Sequence, residues 1–247
     1  MAQTIEELIQ ENTELKKQNS IKSDLISVTA HQLRTSLSAM KWILKMFIDG
    51  DFGDMTTEQK NFMQKALDSD NRMISFVNEM LSMNHSEDSL DEMKLSTFDV
   101  IKLIDEVIFD FTGESYKKGI QLVFLKPEQP TLEITADYEK IRVVIQNLVE
   151  NAIKYSNKET RIVINASKKD SAIEISVHDN GIGITTEEQQ NIFGKFFRAT
   201  NAKQQDVVGS GLGLYTTKRI VEKHKGKIWF DSKINEGTTF FVQIPTE

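Results

Sequence analysis

The sequence predicts an α+β protein in two parts. An N-terminal antiparallel helical hairpin, able to form a four-helix bundle in a dimer, precedes an α/β sandwich. Three observations predict this. Apolar residues recur at helical spacing up to about position 84. A polar, acidic stretch, "NHSEDSLDEM" at 84–93, interrupts them. Beyond it, short strand-like runs alternate with amphipathic helices, in hairpins rather than in repeated crossover units.

Residues 1–20 read as a coiled-coil lead-in. Ile5, Asn12 and Asn19 recur every seven residues, as do Leu8, Leu15 and Lys22. Asn at such core positions weakens a coiled coil but fixes its register and favours a dimer. The apolar phase then slips by one at Ile21, Leu25 and Val28, as at a join between two coiled-coil segments. A helix over about 21–48 follows, with Leu33, Leu37, Met40, Leu44 and Phe47 in one stripe. His31, Thr35, Ser38, Trp42 and Lys45 fall on the opposite face, which points His31 at solvent. "DGDFGDM" at 49–55 is a turn. Thr56 and Gln59 then have capping-box spacing for a second helix, with Phe62, Ala66, Met73, Phe76, Met80 and Met83 on one face. A lone hairpin cannot cover such stripes, so a homodimer is expected. The expected divisions are 1–20, 21–86, a linker at 87–93, and a second domain over 94–247.

In that second domain "KLSTFDV" is a strand leading into a helix over 99–117. "IQLVFL" and "TLEITA" are strands, and Tyr138–Tyr155 is a helix. "TRIVINAS" and "AIEISVHD" form a hairpin around "KKDS". "LYTTKRIVEKH" is a helix stopped by Gly226, and "GKIWFDS" and "GTTFFVQIP" are the last strands.

Composition narrows the function classes. The chain has 247 residues, a net charge of -7 and no cysteine. No basic excess exists to displace counterions, which argues against nucleic-acid binding. Without cysteine there are no disulfides or thiolate metal sites. No apolar run approaches the roughly 20 residues of a membrane helix, and no signal peptide is visible. A cytoplasmic location is expected, compatible with a piece of a longer protein, without membrane contact from this chain.

Four stretches of the second domain carry chemistry. "NLVENAIKY" places Asn147, Asn151, Lys154 and Tyr155 on neighbouring parts of one helical face. Amide oxygens suit Mg²⁺, and a lysine suits phosphates. "DNGIGI" follows a strand, and Asp179 there can accept a hydrogen bond from the exocyclic amino group of adenine. Gly181 and Gly183 allow backbone to approach a ligand. "GSGLGL" puts Gly209, Gly211 and Gly213, then Leu214, at the start of a helix, where backbone N–H groups attract anions. Its spacing is not the dinucleotide fingerprint. Between them, Lys195 and Arg198 flank aromatics ahead of a polar run, as in a lid over phosphates.

In this order, the motifs resemble the GHKL (Bergerat) ATP-binding fold, and residues 21–245 resemble the catalytic core of sensor histidine kinases. "HQLRTSL" sits where that family has its phosphoacceptor box. "NLVENAIKY" matches its N-box, "DNGIGI" and "GSGLGL" its glycine boxes, and "FGKFFR" its F-box. The resemblance implies ATP-dependent phosphorylation of His31, then transfer to an aspartate on a response regulator. It implies that Asn147 and Asn151 hold Mg²⁺ and phosphate oxygens, assisted by Lys154 and Tyr155. Asp179 would read adenine, with Gly181 and Gly183 shaping its pocket. Arg198 would reach the γ-phosphate, and Gly209, Gly211 and Gly213 would pass the phosphate chain. Trp42 and Lys45 are candidate docking residues for the regulator.

Two positions depart from the family pattern. Gln32 replaces an acid and Ser36 a proline. Gln32 can orient the imidazole but cannot take its proton, which predicts slowed autophosphorylation. Thr35 matches the family position that helps hold water for dephosphorylation of the regulator. Ser36 predicts a straighter helix below His31. A water-activating GHKL ATPase is the rival reading. It needs a carboxylate one turn before Asn151, where this chain has Asn147, and adjacent Glu150 is expected to point elsewhere. A non-catalytic dimeric scaffold is the other rival. His85, His178 and His224 are expected to be structural: His224 as a cation at a helix C-terminus, His178 packed beside the pocket.

Overall fold

The computed structural model describes residues 4–89, 93–204 and 209–246, and the chain divides into two compact units, Met1–Asp88 and Ser89–Glu247. The first is a pair of helices, α1 (Ile5–Asp49) and α2 (Thr57–Ser89). α1 is one uninterrupted helix. The phase slip near residue 20 moves the apolar stripe around the cylinder without breaking the backbone ladder. The heptad side chains of Ile5, Leu8, Asn12, Leu15, Asn19 and Lys22 lie outside the described residues.

Thr4 and Glu7 close a capping box at the start of α1: the Thr4 hydroxyl accepts from the Glu7 N–H and the Glu7 carboxylate accepts from the Thr4 N–H. Gly50, at φ 91°, ends the helix in the left-handed conformation that disfavours a side chain. Thr56 and Gln59 form the expected box for α2, at 2.9 and 3.2 Å. α2 then continues five residues past its expected end at 84, through "HSEDS".

The seam between the helices covers only part of the apolar stripe, as expected of a lone hairpin. Ala30, Leu37, Leu67 and Val77 are buried, whereas Leu33 and Met40 are 46% and 49% exposed. Ala30 and Leu37, two turns apart, face α2, and Leu33 and Met40 flank that line on a side α2 does not reach.

The second unit begins with β1 (Leu95–Asp99), then α3 (Val100–Lys117), β2 (Gln121–Leu125), β3 (Glu133–Asp137) and α4 (Tyr138–Tyr155). β4 (Arg161–Lys169), β5 (Ala172–Asp179), α5 (Thr200–Gln204), α6 (Gly213–Lys223), β6 (Lys227–Lys233) and β7 (Gly237–Pro245) follow. β1 and β3 form a separate antiparallel pair. The main sheet runs β2-β4-β5-β7-β6, antiparallel except for the parallel β2–β4 pair. The β4–β5 hairpin is tighter than predicted, since β4 runs on to Lys169 and Asp170 turns the chain at φ 53°.

Burial alternates along the strands. Ile162 and Ile164, Ile173 and Ile175, and Val242 and Ile244 point to the helices. Ile104, Ile141, Ile145 and Leu148 meet them from α3 and α4. Two aspartates start the helices: Asp99 accepts from the Ile101 N–H, and Asp137 from the Lys140 N–H. This packing fixes α4 on the sheet with its outer face turned to the loops after β5 and before α6. Among the described residues no helix is long and apolar enough to cross a membrane.

Candidate functional site

Two adjoining cavities open between α4, the loop after β5 and the segment from Phe197 to Leu214. Both are lined by Asn151, Tyr155, Arg198 and Leu214. The first, about 600 Å³ with its mouth, adds Asp179, Ile182, Gly183, Ile184, Asn201, Thr238 and Phe240. The second adds Asn147, Glu150, Lys154, Gly209, Ser210, Gly211 and Gly213. The predicted residues of the second domain therefore converge, with two qualifications. Gly181 is buried within the loop after β5 rather than on the cavity wall, and the Lys195 ammonium lies over the Tyr215 ring, 5.5 Å from its centroid. An i,i+2 step across the F-box turn separates the direction of Lys195 from that of Phe197 and Arg198.

The first cavity is apolar with one acid at its floor. Asp179 Oδ1 accepts the backbone N–H groups of Gly181 (2.9 Å) and Thr238 (3.2 Å). Oδ2 has no protein partner among the described residues. Burial pushes this carboxyl up to about 7, against the two N–H donors that lower it. The arrangement suits a flat apolar ring with an exocyclic amino group, which donates to Oδ2. Three glycines hold the acid in place. A Cβ on Gly181 would sit 2.3 Å from the Tyr155 carbonyl, and one on Gly183, at φ 64°, 2.1 Å from the Lys233 carbonyl. Gly237 is the third: its Cβ would come within 2.0 Å of the Asp179 carbonyl. Its place just before "TTFF" was the available sequence signal, and Thr238 came with it.

The second cavity is polar. Asn147 Nδ2 donates to the Gly213 carbonyl and the Thr217 hydroxyl, both at 3.3 Å, which leaves its Oδ1 for a ligand. Asn151, one turn on, lines both cavities. Lys154 pairs with Glu150 at 2.7 Å. Glu150 thus faces the cavity, contrary to expectation, because the i,i+4 spacing carries it to the lysine. Gly211, at φ 74°, has no room for a Cβ against the Phe197 carbonyl at 2.5 Å. Gly209 and Gly213 have room, with nearest atoms at 3.9 and 3.6 Å, so protein packing alone does not demand glycine there. The amide oxygens of Asn147 and Asn151 beside open N–H groups fit a hard divalent cation with phosphate.

In the helical unit His31, Thr35, Ser38, Trp42 and Lys45 are all exposed, as their stripe predicted, and so is Gln32. The Thr35 and Ser36 hydroxyls donate to the His31 and Gln32 carbonyls, each at 3.1 Å. The helix stays continuous through Ser36. Two other histidines depart from expectation. His224 is buried, its Nε2 accepting the Asp137 N–H at 3.1 Å, so that nitrogen carries no proton. His178 points to the opposite sheet face from Asp179, where it meets the Thr239 hydroxyl at 2.9 Å. The side chain of His85 lies outside the described residues.

A buried acid at the floor of an apolar cavity, paired helix asparagines and open glycines before a helix are the features of an ATP-binding domain of the GHKL type. Residues 136–247 match the model of the histidine kinase-, DNA gyrase B- and HSP90-like ATPases, and residues 21–89 that of the His Kinase A (phospho-acceptor) domain. The catalytic domain of the histidine kinase ThkA superposes at a TM-score of 0.55 with 31% identity, over 62% of this chain and 97% of that one. The sensor protein kinase WalK of Staphylococcus epidermidis is 29% identical over 237 residues, 95% of this chain and 38% of the relative. ThkA in complex with the response regulator protein TrrA matches all of this chain and 68% of that one, at a TM-score of 0.64 and 24% identity. The chain belongs to the histidine kinase family. It spans about two fifths of the length of the curated relatives it matches.

Proposed function

We propose that this chain is the kinase core of a two-component sensor, cytoplasmic and dimeric. It phosphorylates His31 from ATP and passes the phosphoryl group to an aspartate on a receiver domain. The observation that carries this reading is the pairing, in one chain, of an adenine-selecting acid with a solvent-exposed histidine on a phosphoacceptor-type helix. Asp179 Oδ2 accepts from the adenine amino group, and Ile182, Ile184 and Phe240 cover the ring. Lys154 and Arg198 offset phosphate charge, and the N–H groups around Gly209 and Gly213 receive the chain.

A divalent cation bound with ATP supplies further charge neutralisation, and Asn151 and Asn147 are the residues that would hold it through their amide oxygens. In the transfer a ring nitrogen of His31 bonds to the γ-phosphorus. The bond from that phosphorus to the β–γ bridging oxygen breaks, and ADP leaves. The ring proton passes to solvent, because Gln32 has no acid form to receive it. Gln32 acts by accepting the other ring N–H and so selecting the tautomer. Thr35 serves the reverse chemistry, holding water during dephosphorylation of the regulator. That ThkA has been seen in complex with a response regulator supports a receiver domain as partner here.

Hydrolysis of ATP by an activated water is disfavoured by Asn147, which cannot take a proton, and by Glu150, held to Lys154. The test is acid-labile label on the protein from γ-labelled ATP and Mg²⁺. Wild type takes up label and His31→Gln does not. Label retained on His31→Gln, or free phosphate without labelled protein, ends the reading.

A further inference from the structure

The last four carbonyls of an α-helix have no partner within it, and in α4 their accounting is complete. Ala152 O accepts from the Ser156 N–H at 3.0 Å. Tyr155 O accepts from the Ile182 N–H at 3.3 Å, in the loop that carries Gly181 and Gly183. The two between them go to one side chain from a different helix. Lys118 Nζ donates to Ile153 O at 2.9 Å and to Lys154 O at 3.4 Å. Lys118 is itself fixed, since it ends α3 with its N–H on the Ser115 carbonyl. Its ammonium is held partly out of water against the negative end of α4, where a cation is favoured.

That last turn is the part of α4 that reaches the ligand. Asn151 and Tyr155 line both cavities, and Lys154 lines the polar one. The side chain of Lys118 lines neither, so it would not touch a nucleotide. We propose that Lys118 is a positioning residue for the phosphate half of the site, setting Lys154 and Tyr155 by tying down the carbonyls beneath them. This rests on the reading of the cavities as an ATP site. Without Lys118 two carbonyls lose their partner, the turn loosens, and the Lys154 ammonium samples positions away from the phosphates.

The test uses the whole chain with Mg²⁺ and a fluorescent ATP analogue, competed by ATP and by adenosine. Lys118→Met keeps the apolar stem and loses the donors, while Lys118→Arg keeps donors and charge. Lys118→Met is expected to weaken ATP by about fivefold, the size of one helix-terminus charge. Adenosine should change less, and Lys118→Arg should return ATP binding to near wild type. A purely structural lysine would weaken both ligands by the same factor, and that result overturns the proposal. So does unchanged ATP binding in Lys118→Met. If Lys118→Met does not fold, Lys118→Gln, which loses the charge and keeps a shorter amide NH2 donor, carries the same comparison. A wild-type chain that binds no analogue overturns the ATP reading instead, before any variant is measured.

Discussion

A carboxyl held at about 7 with one oxygen open makes ligand binding at Asp179 a proton-linked event. Its value in the folded chain lies above that of an unfolded aspartate. The fold therefore favours the protonated form, and the cost of the buried charge is fully present once pH rises above about 7. An amino group donating to Oδ2 needs that oxygen as an acceptor and favours the ionised form. Affinity should then rise with pH through neutrality, with proton release on binding. Adenosine is the ligand to use, because it has no phosphate to titrate, and NMR titration on either side of neutrality gives the affinities. A flat profile would remove Asp179 from the adenine assignment. The glycines make a second residue-scale prediction. Gly211→Ala places a Cβ against the Phe197 backbone at positive φ and should cost roughly 1–3 kcal/mol of stability. Gly213→Ala meets only ordinary contacts inside a helix and should leave stability unchanged or raise it by up to about 1 kcal/mol. It should still lower ATP affinity, by about tenfold, if phosphate approaches that backbone. Thermal unfolding and ATP titration on both variants check this. Loss of binding in step with stability for both would contradict it. The sequence showed that these glycines mattered but not why, because a clash with a distant carbonyl is a property of the fold.

Elements were legible where one local rule decided them. The capping box at Thr56, the strand alternation and the α4 face all came from residues within one or two turns. What was not legible has a different cause. The seam of the α1–α2 hairpin depends on which side of α1 the second helix meets, which the apolar stripe alone does not give. The seam also holds an acid. Asp70 on α2 is 1% exposed, and neither carboxylate oxygen has a hydrogen-bond partner among the described residues. It lies between buried Leu67 and Val77 in the heptad-like line of that face. A buried acid without a partner is a net cost to the fold. Asp70→Leu should therefore raise stability, by roughly 1–3 kcal/mol, read as a higher denaturation midpoint at unchanged helix content. A lower midpoint would show that Asp70 is partnered in solution.

At the scale of the whole molecule, the helical unit is unfinished as a single chain. Ile21, Leu25 and Val28 are 59%, 66% and 58% exposed, and Leu33, Ile43, Met73 and Phe76 are each more than two fifths exposed. These residues lie on both helices, so no shift of α2 against α1 would cover them together. Each such side chain contributes about 1.5–3 kcal/mol when fully buried, and a second copy of the same hairpin offers the same surface in return. This is the isologous arrangement expected of a two-fold dimer. Trp42, 64% exposed beside Lys45, lies on the His31 stripe, away from Leu33 and Met40 and so outside the face a second copy would cover. The prediction follows from which residues face which way. Leu33→Glu with Met40→Glu puts charges where the second copy must pack and should convert a dimer to a monomer in sedimentation. Trp42→Ala should leave the dimer intact. The nucleotide cavities lie wholly within residues 147–240, so the monomeric variant should still bind ATP with wild-type affinity. A double variant that remains dimeric would mean that other residues form the interface. One that loses ATP binding along with the dimer would mean that the nucleotide site depends on the bundle, and the division of labour between the two units would have to be redrawn.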